Sequence, residues 1–255
     1  MKVFVVFGSK SDDNVQGPLA DTLRKDFDVT SEVISAHRDL EKLQARMKEW
    51  QGHAYIAGAG LAAALPGVVA AMTPLPVFGV PVPNQFGGLD SLGSIAQMPP
   101  GVPVITAGPA STAPIVQFLK QYKTAKTNFA KINFVARDEA LLKHPELLAE
   151  VEKARIAAAD KGGEVTLSAT ESADAFNVLF VANESHIRPD AFCLHVPFVE
   201  KANVQKPEVY LELLKWANKG GLWVGANNTR NAVHSVLRLG NAAKTAQFKS
   251  EERAA

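Results

Sequence analysis

Three times in the first 67 residues a short apolar run ends in a loop of small or polar residues, and no other feature restricts the fold as much. Val3-Phe4-Val5-Val6-Phe7 leads into Gly8-Ser9-Lys10-Ser11-Asp12, Val33-Ile34 into Ser35-Ala36-His37-Arg38, and Ala54-Tyr55-Ile56 into Ala57-Gly58-Ala59-Gly60. Apolar runs of this length, alternating with stretches of helical spacing, make parallel strands joined by right-handed crossovers. In an open parallel sheet all three loops then lie at the carboxyl ends of strands, where ligands bind at the topological switch point. One loop offers hydroxyls and amides, one a His beside an Arg, and one bare backbone. Together they can hold a small phosphorylated anion and move a proton on it.

The periodicity predicts strands over 3–7, 30–34, 54–57, 76–80 and 102–106, and helices over 12–25, 40–50, 62–72, 90–97 and 112–122. Between Trp50 and Leu89 there is no Asp, Glu, Lys or Arg. Gly58, Gly60, Pro66, Gly67, Pro74, Pro76, Gly79, Pro81 and Pro83 cut that stretch into pieces too short to cross a bilayer core of about 30 Å, so it reads as buried strands and a buried helix.

After a polar segment over 123–128 the pattern restarts. Lys131-Ile132-Asn133-Phe134-Val135 repeats the first strand, and residues 145–161 form a helix opened by a proline. Val165-Thr166-Leu167-Ser168-Ala169 stands where Ser31-Glu32-Val33-Ile34-Ser35-Ala36 stood. His195-Val196-Pro197-Phe198 echoes Gly79-Val80-Pro81-Val82, and Gly221-Leu222-Trp223-Val224 echoes Gly101-Val102-Pro103-Val104. The expectation is a tandem duplication of a three-layer αβα domain with a parallel sheet, flavodoxin-like or Rossmann-like: residues 1–125, residues 126–245, and a tail over 246–255. The second copy has drifted at the chemical positions, with Arg137-Asp138-Glu139 for the first loop, Ser168-Ala169-Thr170-Glu171 for the second and Asn183-Glu184-Ser185-His186 in the third, so its role is read as structural.

Composition narrows the partners. Apolar residues are 47% and charged residues 21% of the 255, which suits a well-buried α/β protein. A net charge of +1 gives no global field for nucleic acid or anionic lipid. Cys193 alone makes no disulfide framework or cysteine metal site, reads as a small buried hydrophobe on a strand, and suits a reducing cytoplasm. The first apolar run is too short for a signal peptide. His53, His144 and His234 read as exposed or helix-terminal residues, and no pair has carboxylate-supported metal-ligand spacing, so neither metal nor cofactor is expected.

Gly8-Ser9-Lys10-Ser11-Asp12 joins a strand to a helix, where amides and dipole favour an anion; its plainer reading is an N-cap. His37 can serve as general acid or base beside the fixed cation of Arg38. Ala57-Gly58-Ala59-Gly60 lacks the third glycine and the downstream acid of a dinucleotide fingerprint, so its small residues are read as letting backbone approach a ligand or a neighbouring subunit. Asn84-Gln85-Phe86-Gly87-Gly88 is a candidate lid over the same pocket.

These motifs, with Leu65-Pro66-Gly67, Gly79-Val80-Pro81-Val82, Gly88-Leu89-Asp90-Ser91-Leu92-Gly93-Ser94-Ile95-Ala96-Gln97-Met98-Pro99 and Gly101-Val102-Pro103-Val104, occur in the order seen in a known family. Residues 1–120 resemble the phosphoribosylaminoimidazole carboxylase catalytic-subunit family in its N5-carboxyaminoimidazole ribonucleotide mutase form. The resemblance implies that Ser9, Ser11 and Asp12 contact the ribose phosphate region, that Ser35 and Arg38 help bind the nucleotide, and that His37 carries the proton, with Ala57, Gly58, Gly60 and Leu65 lining the substrate. It implies a cofactor-free isomerase of de novo purine synthesis. The rival readings are direct carboxylation of aminoimidazole ribonucleotide with CO2 and a non-catalytic structural or regulatory paralogue. Two departures stand out: Ala64 and Leu61 occupy positions where the family has His and Gly. Asn231-Ala232 is closer to the family's final helix than Thr112-Ala113. The family's habit of forming octamers of single domains implies a homotetramer of duplicated chains.

Overall fold

In the computed structural model residues 1–84 and 86–251 are described, those beyond Ala243 as helical backbone only. Gln85 of the candidate lid and residues 252–255 of the expected tail lie outside the described residues; the rest of that tail continues the final helix.

Two parallel sheets form. The first has the order β2-β1-β3-β4-β5, built from β1 (Lys2–Phe7), β2 (Asp28–Val33), β3 (Ala54–Ala59), β4 (Val77–Pro81) and β5 (Ile105–Thr106). The second has the order β7-β6-β8-β9, from β6 (Lys131–Val135), β7 (Glu164–Ser168), β8 (Phe176–Val181) and β9 (Cys193–Pro197). The helices are α1 (Asp13–Arg24), α2 (Leu40–Glu49), α3 (Leu65–Met72), α4 (Leu89–Ala96), α5 (Ala113–Thr124), α6 (Glu139–Leu142), α7 (Pro145–Ala159), α8 (Pro207–Ala217) and α9 (Thr229–Glu251). The first order is the doubly wound 2-1-3-4-5, whose switch point lies between β1 and β3. The second sheet repeats its first four places. Both are parallel sheets of the expected class, and β3 and β4 are buried along their whole length, as strands covered on both faces are.

The ladders define which residues correspond. Counting rungs outward from Lys2 and Lys131, Gly79 corresponds to His195, and their neighbours Thr106 and Trp223 correspond to each other. The Thr106 N–H donates to the Trp223 carbonyl at 2.7 Å and the Trp223 N–H to the Thr106 carbonyl at 2.8 Å. Equivalent residues thus pair with each other antiparallel, as at a local two-fold axis, and the two sheets meet edge to edge.

This register corrects two expectations. Trp223, not residue 226, matches Thr106, so the echo of Gly101-Val102-Pro103-Val104 in Gly221-Leu222-Trp223-Val224 is out of register by three residues. Ser168 pairs with Val135 as Glu32 pairs with Val6, so it lies inside β7 and the counterpart of Ser35 is Glu171. β5 is two residues long rather than the expected 102–106, since Pro103 has no N–H for a ladder. α3 begins at Leu65 rather than Ala62 because Ala62 is left-handed at φ 48°.

The apolar core does not stop at residue 125. Phe118 of α5 packs against Phe78 of the first sheet (ring centroids 5.7 Å), and also against Phe176 (6.2 Å) and Phe192 (4.6 Å) of the second unit. The Tyr122 hydroxyl donates to the Leu239 carbonyl at 2.6 Å. α9 reaches back in turn. Asn231, 1% exposed, donates its amide toward the carbonyls of Pro99 (3.0 Å), Met98 and Val102 (both 3.3 Å) and accepts from the Gly101 N–H at 2.9 Å.

Asn231→Leu fills the same space without a donor or acceptor and strands those groups. It is expected to destabilise the chain by about 1–3 kcal/mol, the cost of an unsatisfied buried polar group. Urea denaturation measures it; an unchanged midpoint would show that the contact carries no stability.

Candidate functional site

The loops after β1, β2 and β3 converge on one cavity of about 200 Å³ at the switch point. Its wall includes Ser9, Ser11, Asp12, Ser35, His37, Arg38, Gly60 and Leu65. Ala57 and Gly58 sit behind this wall, inside β3. Gly58 acts through backbone: its carbonyl accepts from the Gly8 N–H at 3.1 Å, and a Cβ there would lie 2.2 Å from the Phe7 ring. Gly8, Ala36, Ala59, Leu61, Ala62, Ala64 and Asn84 complete the lining. Asn84 belongs to the expected lid segment but was no expected site residue; its place just past the end of β4, on the same sheet edge, was the available signal.

The first loop is a single 3-10 turn, Lys10–Asp12, ahead of α1. Ser9 caps it: its Oγ accepts from the Ser11 N–H at 3.2 Å and lies 2.8 Å from the Ser11 hydroxyl, which is also 3.0 Å from Asp12 Oδ1. The plainer reading, in which Ser11 or Asp12 caps the helix, does not hold: Asp12 stands at the N-cap of α1 without a side-chain hydrogen bond, and the cap is Ser9, on the 3-10 turn ahead of it. Asp12 is only 8% exposed, and burial pushes its carboxyl above the usual range, partly offset by the Ser11 hydroxyl.

The second loop is tied to the first. Buried Ser35 accepts from the Arg38 N–H at 3.3 Å, and the Arg38 guanidinium donates to the Gly8 carbonyl at 3.3 Å. Among the described residues Arg38 makes no ion pair, so most of its five N–H donors remain for a ligand. His37 is exposed at the rim, next to that cation. Asp12, His37 and Arg38 are the ionisable groups of the lining.

The third loop runs from Gly60 to α3. Ala64 is the N-cap residue of α3, without a side-chain hydrogen bond, and Pro66 occupies its first turn. The positive end of the α3 dipole therefore faces the cavity uncapped.

The same edge of the second unit is occupied by its own charges. Glu171 pairs with Arg137 at 2.6 Å and with Arg188 at 3.6 Å, buried His186 meets Asp138 at 2.9 Å, and Glu184 meets Lys219 at 2.7 Å. Cys193 is buried on β9, where desolvation raises its thiol to about 12. His195, fully buried against Trp223, is lowered to about 4 by desolvation.

Asp12 yields a pH test. Its carboxyl is raised in the fold, so ionised Asp12 costs the fold stability above its folded pKa, and that cost disappears as pH falls below the ordinary carboxylate value of about 3.9. Asp12→Asn is expected to melt above wild type at pH 7, with the gain shrinking to nothing toward pH 3. Thermal melts across this range check it, and a variant that melts lower at pH 7 would show that ionised Asp12 is a net stabiliser.

The sequence profile of the AIR carboxylase family matches residues 2–124. An N5-carboxyaminoimidazole ribonucleotide mutase of Pyrococcus abyssi is 53% identical over 113 residues, which are 42% of this chain and 64% of that protein. The mutase of Saccharolobus solfataricus is 47% identical over 110 residues, 41% of this chain and 70% of that protein. A phosphoribosylaminoimidazole carboxylase of Saccharomyces cerevisiae is 50% identical over 110 residues, 41% of this chain and 19% of that protein. This chain thus spans less than two thirds of the Pyrococcus relative, and each match covers under half of the chain. With the switch-point cavity lined by Ser9, Ser11, Asp12, Ser35 and Arg38 and a relative matched over more than two thirds of its length, the chain belongs to the AIR carboxylase family.

Proposed function

We propose that the first unit interconverts N5-carboxyaminoimidazole ribonucleotide and 4-carboxy-5-aminoimidazole ribonucleotide in purine biosynthesis, in the cytoplasm. The observation that carries this reading is the gathering of Ser9, Ser11, Asp12, Ser35, His37 and Arg38 around one cavity. Hydroxyls, the uncapped α3 terminus and the Arg38 fork suit a ribose phosphate, and Asp12 is an acceptor for a sugar hydroxyl.

In this reading the carbamate N–C bond breaks and CO2 is released, while the exocyclic nitrogen takes a proton from the His37 imidazolium. The ring carbon C4 then attacks the trapped CO2, and the proton left on C4 passes to the His37 imidazole. One proton moves from carbon to nitrogen, one carboxyl moves from nitrogen to carbon, and His37 returns to its starting state. The rate comes from orientation, exclusion of water and a positioned base. Ala64, where the resemblance implies a His, lines the cavity, so in this reading both proton transfers are assigned to His37. The same feature favours a second reading, direct carboxylation of aminoimidazole ribonucleotide with free CO2. Assays with each nucleotide separate the two.

His37→Asn is expected to lose about 10²–10⁴-fold in turnover, as removal of a general acid or base does, while nucleotide binding survives. Retention of more than about a tenth of wild-type activity would dismiss His37 as the proton carrier.

The two units are read as a duplication whose second copy, about residues 126–245, keeps the fold and has lost the pocket, and the chain as a homotetramer of eight units with four working pockets. A cavity of about 200 Å³ is small beside the usual 300–1,000 Å³, which leaves a wall for a neighbouring chain to complete. Leu61, 56% exposed in the loop before α3, and Met72, 37% exposed at the end of α3, belong to the charge-free stretch and suit such a contact. Light scattering coupled to size exclusion is expected to give four chains, and a monomer at micromolar concentration would dismiss the assembly.

A further inference from the structure

The helix that points at the cavity is held at its other end by the second unit. α3 has no basic residue in its last turn, and the charge-free stretch around it has none to lend. The cation comes from α9. Arg238 donates to the Ala70 carbonyl, one of the last four carbonyls of α3, at 2.9 Å, and reaches the Leu75 carbonyl just beyond at 3.5 Å. Among the described residues no carboxylate pairs with Arg238. Its guanidinium is partly buried, and burial lowers its pKa, yet an arginine in a protein keeps its charge. A desolvated cation without a counter-ion is costly unless the negative pole of a helix supplies the compensation, and here it does.

We propose that Arg238 is a positioning residue for the anion bound in the first unit, acting through α3. Its hydrogen bonds fix the last turn, and its charge offsets the negative pole, leaving the positive pole at Ala64 and Leu65 less opposed. The inference rests on reading the cavity as a phosphate seat. The eight residues of α3 span about 12 Å, and over that distance a unit charge acting on a phosphate dianion between protein and water dielectric changes affinity about three- to tenfold.

The test is titration of ribose 5-phosphate into the full chain and its Arg238 variants. Arg238→Met is expected to bind about three- to tenfold more weakly, and Arg238→Gln, which keeps a donor for the Ala70 carbonyl and guards against misfolding of the first variant, equally weakly. Arg238→Lys restores the affinity, and the gap between charged and neutral variants narrows at high salt. In turnover the loss appears in KM with kcat kept. Wild-type affinity in both neutral variants, or a lysine variant as weak as they are, overturns the role of Arg238 and leaves the phosphate seat standing. Failure of the wild type to bind ribose 5-phosphate removes the seat itself, and the inference with it.

Discussion

The reciprocal pair of backbone hydrogen bonds between Thr106 and Trp223 is the constraint on which the arrangement of the two units depends. Each residue is the outermost rung of its own sheet. An exposed strand edge invites pairing with whatever edge it meets, and here each half caps the other, removing two liabilities with one bridge. Because equivalent positions pair, α5 and α9 face each other's units, and the core that Phe118 shares with Phe176 and Phe192 follows. The left-handed glycines 220 and 221 bring Trp223 onto the edge, where its indole stacks on His195 at 4.7 Å.

The two sheet edges differ in how their charges are satisfied. In the second unit acid and base sit close enough to neutralise one another, and Glu171 holds both Arg137 and Arg188. In the first, Arg38 rests on a carbonyl, while among the described residues buried Asp12 has the Ser11 hydroxyl at its Oδ1. Unspent hydrogen-bonding capacity of this kind suits the anion site proposed for this edge.

Much of this was legible in the chain itself. β1 and β3 announce themselves as apolar runs that end in small residues, and the loops that follow β1 and β2 supply just over half of the cavity wall. β5 is shorter than its apolar run because that run contains a proline, and α8 lies outside the predicted helices although Pro207 opens it in the usual way. The second unit misled through local likeness: Ser168-Ala169 resembles Ser35-Ala36, but hydrogen-bond rungs, not letters, define equivalence, and they place Ser168 in a strand. Contacts such as Asn231 to Pro99 or Arg238 to Ala70 join residues 132 and 168 positions apart, and no periodicity carries that information.

The reach of Asn231 back to Gly101, across 130 residues, has a consequence during synthesis. Chains grow at about 5–20 residues per second, so the loop around Gly101 waits roughly 6–26 s for its partner. Once α5 is made, Phe118 has Phe78 but still lacks Phe176 and Phe192, Tyr122 lacks the Leu239 carbonyl, and the edge at Thr106 is open. A nascent chain in this condition is a natural client for a chaperone that shields apolar helices. Slow translation over the second half would lengthen the exposure without altering a single residue of the finished protein.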